Sequence, residues 1–158
     1  MEGRCFPAAP TADVEAVAVA LGEVLAASGT VEWAFGHGSF FEGRPHHDVD
    51  VAVRFAAGRT PRLAEWDAVA CRLEAVARRP VDLHAVSRED LLFAAAATAG
   101  RLLWAADREA AWQEAELTAR MAWDARWLRD SVLHDLPQPE PGGGVPRGRA
   151  PSPGGRRT

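Results

Sequence analysis

Residues 48–55 read DVDVAVRF, and the alternation of Val49, Val51 and Val53 has a period of two that suits a pleated strand and no helix. The patterns on either side are helical. In residues 13–27, Val14, Val17, Leu21, Val24 and Leu25 fall at helical spacing, with Asp13 near the start, where the helix dipole favours a carboxylate, and Ser28-Gly29 as the stop. In residues 63–77, Leu63, Trp66, Val69, Ala70, Leu73 and Val76 give a second amphipathic helix, ended by Arg78-Arg79-Pro80. Two more strand-like runs, VEWAFGHG at 31–38 and VDLHAV at 81–86, complete an alternation of helices and strands. This order predicts an α/β (α+β) fold, a small sheet packed by helices on at least one face.

Ser87, with Asp90 three residues on as a weak capping box, predicts the start of a helix in SREDLLFAAAATAG, and Gly100 suits its exit. RLLWA, 101–105, is a short apolar segment. From Asp107 to Asp135 the chain lacks proline and glycine, which allows a helix of roughly 43 Å, intact or broken once. It carries Trp112, Trp123 and Trp127. Core packing is the expected reason for tryptophans at this spacing, whereas an exposed Trp123/Trp127 face would indicate a partner. Residues 137–158 hold six prolines and six glycines without apolar periodicity, a composition expected to stay disordered. One domain over residues 1–136 and a tail over 137–158 is therefore the expected organisation.

Composition narrows the function. All 18 basic residues are arginine, so no lysine nucleophile or lysine–phosphate contact is available. Tyrosine is absent as well, and any tyrosine modified by this protein must belong to another molecule. Residues 1–136 hold 14 arginines against 21 acids, a balance of about −7 that argues against nucleic acid as a direct partner. The opening MEGRCFPAAPTADVEA lacks the order of a signal peptide, and no long uncharged apolar window is present, so no membrane partner and a cytoplasmic location are expected. Cys5 and Cys71 have no metal-ligand spacing, and Cys71, within a helical pattern, is expected as a small buried thiol.

The strand of residues 48–55 raises a question of charge. Asp48 and Asp50, two apart, project to one face, and two carboxylates about 5 Å apart repel by roughly 3 kcal/mol at an effective dielectric near 20. A divalent cation between them reverses that sign. Hard oxygen donors suit Mg²⁺ or Mn²⁺, which keep positions for water and substrate phosphates. Just upstream, Gly36-His37-Gly38-Ser39 offers backbone N–H groups and a hydroxyl to phosphate oxygens. Asp82, opening the next strand, supplies a third carboxylate for a two-metal site.

Gly38-Ser39, Gly43, Asp48-Val49-Asp50-Val51 and, beyond a helix, Asp82 together resemble the DNA polymerase beta-like nucleotidyltransferase superfamily, and in size its minimal nucleotidyltransferase branch, over about residues 13–135. The resemblance implies a small mixed sheet with helices on one side. It implies transfer of a nucleoside monophosphate, AMP from ATP, to an acceptor hydroxyl. Asp48 and Asp50 would bind both metals, Asp82 would bind the catalytic one and help deprotonate the acceptor, and Gly38, Ser39, Gly43 and Arg44 would hold the nucleoside triphosphate. Stand-alone members of this size are often antitoxins that attach AMP to a HEPN-family RNase toxin, which makes such a toxin the expected partner. A small-molecule nucleotidyltransferase, like the aminoglycoside-modifying members, and a catalytically weakened binding module are the alternatives.

One departure stands out. The family commonly reads Gly-Ser-Arg-Ala-Arg-Gly, whereas this chain reads Gly38-Ser39-Phe40-Phe41-Glu42-Gly43, with Arg44 left to compensate. His46 and His47 are expected in a polar surface loop, His37 is a weaker candidate for a phosphate contact, and His84 shares the strand face of Asp82 as a supporting residue.

Overall fold

The computed structural model describes residues 5–57, 59–87 and 89–135, the last five of these by backbone alone. The expected tail, 137–158, lies outside the described residues. In chain order the elements are α1 (Thr11–Ser28), β1 (Val31–His37), α2 (Gly38–Phe41), β2 (Val49–Phe55), α3 (Leu63–Ala77), β3 (Val81–Ala85), α4 (Leu91–Thr98), β4 (Arg101–Ala105) and α5 (Arg108–Asp135).

The four strands form one mixed sheet in the order β3-β2-β1-β4. β1 pairs antiparallel with β2 on one side and β4 on the other, while β2 and β3 run parallel through the α3 crossover. The short apolar segment 101–105 is thus an edge strand. Its pairing with β1 is non-local and left no mark in the sequence beyond five partly apolar residues.

Alternation along the strands divides the core in two. Val31, Ala34, Val49, Val51 and Val53 pack with Val14, Leu21, Leu25, Leu73 and Phe40 on the α1/α3 side. Trp33, Phe35 and Ala52 pack with Val86, Ala94, Ala97, Ala111 and Ala115 on the α4/α5 side. Burying a large apolar side chain such as Leu21 or Phe35 contributes about 1.5–3 kcal/mol relative to exposing it. Helices therefore cover both faces, and the one-sided packing implied by the family resemblance is corrected. Alanines dominate the second layer, which brings α4 and α5 close to the sheet.

Three local expectations also change, and a fourth, the continuity of α5, is settled. α4 begins at Leu91 rather than at Ser87: Asp90 is itself the cap, its Oδ1 accepting from the Phe93 N–H at 3.2 Å. α5 is continuous over 28 residues. Cys71 is exposed because it lies on the outer side of α3, whose buried residues are Leu73 and Ala77. His46 is buried, not a surface residue: it stacks on Phe6 at 5.6 Å, meets the edge of Phe40 at 5.1 Å, and bridges to Phe6 through the backbone.

α5 is tied to the sheet by a polar link. Glu114 accepts from Trp33 Nε1 at 2.8 Å and pairs with the largely buried Arg54, whose guanidinium lies 5.0 Å from the Trp33 ring centre. Further along, α5 leaves the body: Trp123 is 74% and Trp127 66% exposed, so the core-packing expectation fails for both. Trp112 is half exposed and packs edge-on against Phe35 at 5.5 Å.

Candidate functional site

Strand register builds one row of polar residues across three strands. His37 on β1 lies opposite Asp50 on β2, and Asp50 lies opposite Asp82 on β3. Partners in register project to the same face, so the row presents two carboxylates and an imidazole side by side. His84, two residues beyond Asp82 and on the same face, places Nε2 2.9 Å from Asp82 Oδ2. Donor atoms of Asp50, Asp82 and His84 all lie within 4.8 Å of one another. Asp48 precedes β2 by one residue and stands outside that group, although its charge still acts on Asp50.

The electrostatics follow from the crowding. Partial burial holds the Asp50 carboxyl above the usual carboxylate range, the charges of Asp48 and Asp82 push it further, and His37 and His84 oppose them. Burial also holds His37 below the ordinary imidazole range, with the His84 charge adding to the effect and Asp50 working against it. His37 Nε2 is buried and has no hydrogen-bond partner among the described residues.

The Gly38-Ser39 segment is not the open loop its composition suggests. It forms one helical turn, α2, directly after β1. Gly38 has φ 75° and lies against Asp50 Oδ2, where any Cβ would collide with the carboxylate. Phe40 and Phe41, at the positions where the family pattern has arginine and alanine, turn inward. Phe40 is fully buried under the Arg79 guanidinium, 5.1 Å from its ring centre, and the Phe41 ring lies on bare Gly36, filling the space a side chain there would need. Glu42 pairs with Arg44, which answers the expectation that Arg44 offsets the misplaced acid. An open groove runs beside this turn, lined by His37, Gly38, Phe41, Glu42, Gly100 and Arg101. Arg101 in turn forms a bidentate pair with Glu15 and so holds the Glu15 carboxyl below its usual range.

The donor set fits a divalent cation. Two carboxylate oxygens and an imidazole nitrogen converge within 4.8 Å of one another, and glycine is required where the backbone passes Asp50. Of the residues expected at the site, the structure brings Asp50, Asp82 and Gly38 together, and Ser39 follows Gly38 in α2. Sequence reasoning gave His84 only a supporting place, although the i, i+2 spacing from Asp82 was the available signal. Phe93, which meets both His37 (5.8 Å) and His84 (5.5 Å) edge-on, was not anticipated.

No protein-family model and no curated protein matches this sequence. Solved structures do. A chain from the complex of tri-AMPylated Shewanella oneidensis HEPN toxin with MNT antitoxin matches with TM-score 0.57 and 17% identity, over 77% of this chain and 97% of that one. A toxin–antitoxin structure with AMP-PNP matches with TM-score 0.56 and 20% identity, over 72% and 92%. A MntA toxin–antitoxin mutant, in which two aspartates separated by one residue are glutamates, matches with TM-score 0.57 and 17% identity, over 72% and 92%. The chain thus has the fold of the minimal nucleotidyltransferase antitoxins.

Proposed function

We propose that this protein is a divalent-metal-dependent nucleotidyltransferase that moves AMP from ATP to a hydroxyl of a partner protein, a HEPN-family toxin that it thereby neutralises. The observation that carries this reading is the register of Asp50 against Asp82 with Gly38 seated on Asp50. It sets a glycine turn against one strand carboxylate with a second beside it, which supports the reading. The solved chains of this fold include one with AMP-PNP and one in complex with an AMPylated toxin.

In this reading Asp50 and Asp82 hold the cation, with Asp48 at the mouth adding negative charge. When bound, the cation neutralises phosphate charge and acidifies the attacking hydroxyl. Gly38 and Ser39 hold the triphosphate, with Gly43 shaping the turn that follows, and the N–H of a neutral His37 at Nε2 donates to a phosphate oxygen. The acceptor oxygen bonds to the α-phosphorus, the bond to the bridging oxygen breaks, pyrophosphate leaves, and Asp82 takes the hydroxyl proton. Because the chain contains no tyrosine, a tyrosine acceptor belongs to the partner.

A second reading, a binding module that has lost transfer, draws on Phe40, Phe41 and the Glu42–Arg44 pair, which leave the turn without free guanidinium groups of its own. Incubation with labelled ATP, CTP, GTP or UTP, Mg²⁺ or Mn²⁺ and the HEPN partner separates the two. Label from ATP on the partner, lost in Asp48→Ala/Asp50→Ala, is the expected result. Neutralisation of the toxin by that double variant overturns the catalytic account in favour of binding.

A further inference from the structure

We propose that His84 is a direct ligand of the cation and that the site therefore selects Mn²⁺ over Mg²⁺, an inference that rests on the metal-dependent reading above. The sequence pattern supplies three carboxylates, but the structure groups Asp50 and Asp82 with His84 and leaves Asp48 outside. The 2.9 Å between His84 Nε2 and Asp82 Oδ2 has a specific meaning. Two donors bound side by side in octahedral geometry at about 2.1 Å from an ion lie about 3 Å apart. The separation thus suits a shared ion as well as it suits a hydrogen bond, and the His84 side chain is partly exposed to solvent. Phe93 packs edge-on against the ring at 5.5 Å and restrains its rotation.

Ligand chemistry then sets the preference. Mg²⁺ keeps to oxygen donors in strict octahedral geometry, whereas Mn²⁺, the hardest of the divalent first-row transition ions, also prefers oxygen but tolerates a nitrogen donor better. Mn²⁺ accepts a mixed set of two carboxylates and one nitrogen and keeps positions for phosphate oxygens.

The test uses the full-length, nucleotide-free protein with Mn²⁺ or Mg²⁺ alone as probe. Calorimetric titration is expected to give at least tenfold tighter binding of Mn²⁺ than of Mg²⁺. Pulsed electron paramagnetic resonance of the Mn²⁺-loaded protein is expected to show nitrogen hyperfine coupling. His84→Ala should abolish that coupling and the metal preference, and His84→Asp should raise Mg²⁺ affinity, with circular dichroism confirming that each variant is folded. Absence of nitrogen coupling in the wild type, or its persistence in His84→Ala, overturns the role of His84 and reduces it to a hydrogen-bond partner of Asp82. If Asp50→Asn and Asp82→Asn leave Mn²⁺ binding unchanged, the metal site itself is wrong, and the underlying reading fails with it.

Discussion

Because Asp50 lies between Asp48 and Asp82 and is partly withdrawn from water, its ionisation costs free energy in the folded chain. A carboxyl whose folded pKa is raised stabilises the fold only below its unfolded pKa, and that contribution is lost as pH rises through the folded value. Asp50→Asn is therefore expected to stabilise the metal-free protein at neutral pH, by about 1 kcal/mol once solvent screening is allowed for. The gain should shrink to nothing as pH falls through the raised folded value to the unfolded one, and Mn²⁺ should reverse the order of the two proteins. Thermal melts across pH, with and without Mn²⁺, check both signs. Gly38→Ala should cost about 2 kcal/mol or more, because the backbone has φ 75° and the new Cβ meets the Asp50 carboxylate; chemical denaturation measures it. Asp50 and Asp82 were legible in the sequence because period two fixes which face a strand residue takes. The burial of His46 was not, since it depends on Phe6, 40 residues away, and on Arg79 beyond a helix.

At the level of elements, α1, the first three strands and α3 were readable because each carries its own periodicity and stop signal. β4 was not, because its run RLLWA has no period-two alternation and all five residues are only partly buried. Likewise, the start of α4 moved because Ser87 and Asp90 are both competent caps: Ser87 Oγ accepts from the Glu89 N–H before the helix, and Asp90 caps α4 itself. The docking of α5 depends on Glu114, a charged residue that periodicity treats as solvent-facing. Here it satisfies Trp33 Nε1 and pairs with the buried Arg54. Glu114→Ala leaves a buried guanidinium without this carboxylate and is expected to cost about 3 kcal/mol. Urea unfolding should show a lower midpoint with an unchanged slope. An equally destabilised Glu114→Gln would assign the effect to charge rather than to the Trp33 hydrogen bond.

For the whole molecule, the site and the exposed part of α5 divide the work. In the proposed reading the strand row supplies the chemistry, and the far half of α5, where Trp123 and Trp127 are exposed, is the surface offered to the partner. Trp123→Ser/Trp127→Ser is expected to change stability by no more than about 0.5 kcal/mol, as for exposed positions, yet to weaken complex formation at least tenfold in calorimetry with the partner protein. The absence of tyrosine from the chain also makes the readout of transfer clean, since a modified tyrosine can come only from the partner. The central claim is that Asp50 and Asp82 act together to move AMP to that partner. Intact-mass spectrometry of the partner, after incubation with ATP, Mn²⁺ and either wild type or Asp82→Asn, tests it directly. One or more AMP increments with the wild type and none with Asp82→Asn is the predicted result. An unmodified partner in the presence of folded, metal-loaded wild type, or equal modification by Asp82→Asn, would contradict it.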